Sequence, residues 1–349
     1  MNQVWAPLPR EEVVRAVERK GPSRIPLVRA KWWGEGLREQ YGVRLDELNR
    51  YPEDVGWAMI GNPVNPPNMT LSWDWQSEGL AKDAGVIIDD WGKLDEFIEK
   101  LPSPEGDPDF ERLVQNVAEI RKQGMYVLTG WWNFFFERPW QLRGMQNLLC
   151  DFHIAQDEIH RLYSAMCDTY CSYLQRAAEV AGPDGFFTSD DLGHQTGPMM
   201  SPEIFREIIY PYYKRVGDVC AENNMHFWLH SCGDNSPLMD DLIDAGLTVF
   251  HPVQKGTMDE KAIAAEFGDR LSFFAGIDVQ HTLQEKDAEG VREEVRFLID
   301  TFDRPDGGMC MSAGNGIVSG TPYENIEAFL DETLSYGASH RGNRPPAKR

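Results

Sequence analysis

HFWLHSCGDNSPLMDDLIDAGLTVFHPVQ, residues 226–254, contains one full period of the fold. An apolar, aromatic-rich run (226–230) gives way to a polar loop at a glycine. A segment with helical spacing of its apolar residues follows, and then a second β-branched run, TVFHPVQ (248–254). Short β-branched or aromatic runs bounded by Gly, Asp and Asn read as strands, and the stretches between them, apolar at every third or fourth residue, as helices.

The same alternation recurs on either side of this stretch. MYVLTG (125–130), GFFTSDD (185–191), SFFAGID (272–278) and GMCMSAG (308–314) are further strand-like runs, and RIPLVRA (24–30) and VGWAMIG (55–61) bring the total to eight. Strands alternating with helices imply a parallel sheet, and eight units imply closure into an α/β (β/α)8 TIM barrel more readily than an open doubly wound sheet. No GxGxxG follows the first strand and no GxxxxGK[ST] occurs, so the dinucleotide-binding and P-loop alternatives lack their best support. One barrel domain over residues 1–340, with an N-terminal helical extension, is therefore expected. Residues 61–110 contain NPVNPPNMTLSWDWQSEGL and read as an irregular insertion or lid near the barrel mouth, and 341–349 as a flexible tail.

Composition narrows the function. The formal charge of -22, from 56 acidic against 34 basic residues, repels phosphate backbones and anionic lipid surfaces, so neither nucleic acid nor membrane is expected as a partner. The N-terminal stretch lacks a basic region followed by an apolar one, which reads as cytoplasmic. The six cysteines are too sparse for a disulfide scaffold and suit a reducing compartment. Cys167 and Cys171, four apart on an expected helix, read as small apolar residues on a buried face.

In such a barrel the groups that do chemistry sit at the C-terminal ends of the strands. The run ending at His230 places His230 and Cys232 on one side, by the period of two, and Ser231 on the other. Imidazole and thiolate are zinc ligands, and a catalytic zinc takes three protein ligands and leaves a fourth position open. The other strand ends offer Asp190, Asp191, His194 and Gln195, then His251 with Gln254, Asp278, and Cys310 with Asn315. The run WWNFFFERPW (131–140), with Trp131, Trp132 and Phe134, and Trp228 on the strand before His230, are candidates for an aromatic substrate wall.

SDDLGHQTGPMMSPEIFREIIYPYYKRV (189–216), HSCGDNSPLMDDLIDAG (230–246), GIDVQHTL (276–283) and SAGNGIVSGTPYENIEAF (312–329) together resemble the uroporphyrinogen decarboxylase superfamily, and in particular its corrinoid-linked methyltransferase branch. The resemblance implies a (β/α)8 barrel and a zinc held by a His-x-Cys pair, here His230 and Cys232, and a later cysteine. Asn315 stands where the branch has that cysteine, so either Cys310, five residues earlier, is the third ligand or the site is altered. The decarboxylase branch carries a Met-Arg-x-Ala-Gly-Arg segment for acidic porphyrin side chains. This chain has VRAKWWG (28–34) there, so methyl transfer is expected, with a metal-independent decarboxylase or lyase as the alternative. The D-x-H-x-x-G corrinoid signature is missing, which implies a separate corrinoid protein as partner. The aromatic run favours an aryl methyl ether, hence O-demethylation, among small methylated substrates. Asp190, Asp191, His194 and Asp278 are the candidates for orienting substrate or delivering protons, and a homodimer face is left open.

Overall fold

The computed structural model describes residues 5–65 and 86–342. Within them the strands are β1 (Val55–Trp57), β2 (Tyr126–Trp131), β3 (Gly185–Ser189), β4 (Gly193–His194), β5 (Gly197–Pro198), β6 (His226–His230), β7 (Val249–His251), β8 (Ser272–Ile277) and β9 (Met309–Ala313). Apart from the two-residue antiparallel pair β4–β5, each falls in a run expected from the sequence. The fold class is α/β, with parallel strands alternating with helices. Of the expected insertion, residues 66–85 lie outside the described residues, as do 343–349 of the expected tail.

The chain forms two compact units: residues 58–118 with 128–247 make one, and the chain up to Trp57, residues 119–127 and everything from Thr248 onward make the other. In the first unit β2, β3 and β6 run parallel, with Trp131 opposite Thr188 and Ser189 opposite His230. One face of these strands carries Phe186 and Phe227, whose rings lie 5.5 Å apart. This face is covered by the Gln156–Ala181 helix, whose buried residues Ile159, Leu162, Tyr163, Met166, Tyr170, Tyr173, Leu174 and Ala177 recur every three or four positions and form a stripe wide enough to seal a sheet. That helix stops at Gly182, which adopts the left-handed conformation at φ 59° that glycine enters without steric cost.

In the second unit β7, β8 and β9 are parallel, with Phe250 opposite Phe273 and Phe274 opposite Cys310. The Ala288–Phe302 helix buries Val291, Val295, Leu298, Ile299 and Phe302 there, and Asp287 caps its start by accepting from Gly290 N.

RIPLVRA, expected as the eighth strand, is reduced to one bridge, Leu27 with Met311. Met311 N donates to Pro26 O and Val28 N to Met311 O, and the ladder goes no further. Proline has no N–H to extend it, Leu27 N donates instead to Asp54 Oδ2, and the amides of Arg29 and Ala30 are taken by the two carboxylate oxygens of Glu53. Side-chain carboxylates have captured the donors that a strand would have used. Among the described residues no helix is long and apolar enough to cross a membrane.

Candidate metal centre

The parallel register that sets Ser189 beside His230 makes β3 and β6 end together, so their following loops leave the sheet side by side. Three bonds tie them: Asp190 N donates to His230 O at 2.8 Å, Leu192 N to Ser231 Oγ at 3.0 Å, and Cys232 N to Asp191 Oδ1 at 2.8 Å. Beyond these bonds the loops touch backbone to backbone. A Cβ on Gly233, at φ +84°, would lie 2.2 Å from the carbonyl carbon of Gly193, and one on Gly193 would lie 2.8 Å from Asp234 N. Only glycine fits at either place. Asp234 N donates to His194 O at 2.8 Å, and the fully buried Asn235 donates to the carbonyls of Ser231, Cys232 and Gly233 while accepting from Ser231 Oγ at 3.1 Å. The turn that presents Cys232 is thereby fixed.

On this frame His230, Cys232 and Asp191 bring one nitrogen, one sulfur and one oxygen within 4.8 Å of one another. Cys232 Sγ is 3.4 Å from His230 Nε2, and Asp191 Oδ1 is 3.8 Å from the same nitrogen. A tetrahedral zinc with N, O and S ligands at about 2.0–2.3 Å has ligand–ligand edges of about 3.4–3.6 Å, so the residues fit that ion. Imidazole, thiolate and carboxylate would also balance its charge. His230 is buried, 4% exposed, and Asp191 and Cys232 are half-buried, so one side of the group is open.

The third donor in this group is Asp191, where Cys310 was expected. Cys310 is the second residue of β9, buried within its own unit, where burial pushes its thiol up. Asn315 is exposed and its side chain accepts from Gly316 N at 2.7 Å.

Asp190 has a different task from its neighbour. Fully buried, it accepts from Phe136 N at 2.9 Å, Glu137 N at 2.7 Å and Tyr213 Oη at 2.6 Å, capping the Glu137–Arg143 helix from the loop after β3. Burial outweighs these donors and pushes its carboxyl up to about 7. A carboxyl so enclosed ties the end of β3 to the start of that helix.

Of the aromatic run, Trp132 alone faces the group. It is 38% exposed and meets His230 edge-on, ring centroids 6.1 Å apart. Trp131 stacks on Tyr170 at 5.0 Å and Phe134 packs on Phe135, Tyr170 and Tyr213, which places both in the core. Trp228 is buried on β6. His194 and Gln195 are exposed in the β4–β5 turn, with Thr196 N donating to His194 Nδ1 at 3.4 Å.

The remaining expected site residues belong to the other unit. His251 is sandwiched between Trp32 and Phe274, with Nε2 3.0 Å from Ala313 O. Asp278 accepts from the amides of Gln280, His281 and Thr282, closing the turn after β8, and the Gln254 carbonyl does similar work for Thr257 and Met258. Asn235, Gly193 and Glu137 join the site without a mark in the strand pattern; Glu137 is buried and accepts from Ser189 Oγ at 2.8 Å. The GDN turn was the one local signal for Asn235.

The family model described as uroporphyrinogen decarboxylase (URO-D) matches residues 140–336. No curated protein sequence matches the chain. Among solved structures, a methyltransferase from Methanosarcina mazei is similar over 94% of this chain and 98% of its own, with a TM-score of 0.65 at 14% identity, a likeness of fold. Xylanase B from Clostridium stercorarium F9 covers 93% of this chain and 99% of its own at 10% identity, with a TM-score of 0.43.

Proposed function

This chain belongs to the uroporphyrinogen decarboxylase family, and from that premise we propose that it is a zinc-dependent methyltransferase, moving a methyl group between a small methylated substrate and the cobalt of a separate corrinoid protein. The observation that carries the proposal is the Asp191–His230–Cys232 donor set, open on one side, at the ends of two adjacent strands. Its likeness in fold to the Methanosarcina mazei methyltransferase supports the same reading.

Zinc, when bound, would polarise a substrate heteroatom or hold a thiol deprotonated at neutral pH. The chain's own residues do the rest. His230 and Cys232 offer their donors from a turn locked by Asn235. Asp191 is oriented by accepting from Cys232 N, so its carboxylate and the Cys232 thiol are positioned by one bond. Trp132 meets the imidazole edge-on and would give an aryl methyl ether an apolar wall. Asp190 holds the strand end behind them.

The family description favours a second reading, a metal-independent decarboxylase or lyase. Two measurements on the full-length protein separate them. Zinc near one equivalent per chain, together with loss of methyl from an aromatic methyl ether in the presence of a corrinoid partner protein, supports methyl transfer. Metal-free protein that releases carbon dioxide from a carboxylated substrate supports the lyase and overturns the proposal.

A further inference from the structure

A second group of reactive side chains lies in the same unit, on the Gln156–Ala181 helix. Cys167 and Cys171 stand one turn apart, with their sulfurs 3.8 Å from each other. Their surroundings differ. Cys167 is buried and its thiol also donates to Tyr212 O at 3.7 Å, on the neighbouring Tyr210–Glu222 helix. Cys171 is only partly covered. Asp168, between them in the sequence, pairs with Arg215 at 2.6 Å, and the guanidinium charge acts on both thiols.

From this juxtaposition we infer that Cys171 and Cys167 are an oxidisable dithiol, in which a hydroperoxide attacks at Cys171 and Cys167 resolves the product to an intrahelical disulfide. The accessible sulfur is the one a peroxide can reach, and the buried one is already directed at it. Ionisation follows the same order: the contact between the two sulfurs holds Cys171 below the ordinary thiol range, while that contact and burial push Cys167 up.

The chemistry balances. The Cys171 thiolate takes the terminal oxygen of ROOH, giving a sulfenic acid and, after protonation, ROH; the sulfur loses two electrons and the peroxide gains them. Cys167 then attacks that sulfur, its proton leaves with the hydroxyl as water, and the S–S bond forms.

Geometry permits closure at a cost. Residues four apart on a helix have Cα atoms about 6.2 Å apart, inside the usual disulfide span of about 4.4–6.8 Å, but Cβ atoms at about 5–6 Å must approach to about 3.5–4.5 Å. The turn has to tighten, so the bond is expected to be readily reduced.

The test uses full-length protein treated with hydrogen peroxide and then iodoacetamide. Cleavage after Arg161 and Arg176 leaves both cysteines in one peptide, 162–176. The expected result is that this peptide carries no alkyl cap and is two hydrogens lighter than the dithiol form, and that dithiothreitol restores both caps. In Cys167→Ser protein, dimedone should trap a sulfenic acid at Cys171. A readout on unmutated protein is phenylarsine oxide, which should protect both thiols from alkylation together. The inference is overturned if peroxide oxidises Cys150 or Cys232 while the 162–176 peptide keeps both caps, if Cys171 goes directly to sulfinic acid with Cys167 present, or if the arsenical protects neither thiol.

Discussion

Gly233→Ala is the substitution that most sharply probes how the centre is built. The added Cβ would lie 2.2 Å from Gly193 C, 2.5 Å from Gly193 O and 2.6 Å from His194 N. All three are backbone atoms that cannot swing aside, so the loops after β3 and β6 must separate by roughly an ångström to restore ordinary contact. Holding alanine at φ +84° costs about 1–2 kcal/mol, and overpacking adds about 1–3 kcal/mol. A total near 2–5 kcal/mol is expected. Gly256→Ala supplies the control: its φ is +79° and nothing lies within 4 Å of the added Cβ, so only the conformational part, about 1–2 kcal/mol, applies. Because Asp191 and Cys232 sit next to the separating loops, zinc affinity should fall about 10–100-fold in Gly233→Ala and stay unchanged in Gly256→Ala. Urea unfolding and competitive zinc titration on both variants measure this. Equal stability losses with equal zinc affinities would refute the backbone-to-backbone account of the site.

Three further outcomes follow from the placements above. The Asp190 carboxyl, at about 7 in the folded chain against about 3.9 unfolded, binds its proton more tightly when folded. The stabilisation this gives is complete below about pH 4 and is lost as pH rises through 7, by at most about 4 kcal/mol. Asp190→Asn, which cannot titrate, should therefore gain stability relative to the parent protein between pH 4.5 and 7.5, roughly the window between those two values; a constant difference across that range contradicts the assignment. Trp131→Ala should cost about 3–5 kcal/mol in denaturant titrations, whereas Trp132→Ala should cost about 1 kcal/mol and instead raise KM for an aromatic methyl donor; the reverse pattern would put the wrong tryptophan at the site. Cys310→Ala should lower stability by about 1 kcal/mol and leave zinc content unchanged, and loss of the metal in that variant would restore Cys310 as a ligand.

Seven strands were legible because each is a short aromatic or β-branched run closed by Gly, Asp or Asn. The eighth was misjudged because its hydrogen-bonding capacity is spent elsewhere: the amides of Leu27, Arg29 and Ala30 go to Asp54 and Glu53, a tertiary event that no local pattern announces. At the site, His230 and Cys232 could be paired from the period of a strand. Asp191 could not be separated from Asp190 in that way, because the register of β3 on β6 decides which carboxylate reaches Cys232 N and which caps a helix. The aromatic run misled for a related reason. By the period of two its neighbours point opposite ways, Trp131 onto the Gln156–Ala181 helix and Trp132 onto His230, and beyond the turn at Asn133, φ 66°, Phe134 returns to the core.

The most direct measurement is the absorption spectrum of the protein reconstituted with cobalt(II), in which a thiolate ligand gives a sulfur-to-metal charge-transfer band. The band should be present in the parent protein and in Cys310→Ala, absent in Cys232→Ser, and altered in its ligand-field region in Asp191→Asn. Its persistence in Cys232→Ser, or its disappearance in Cys310→Ala, would contradict a centre built from Asp191, His230 and Cys232.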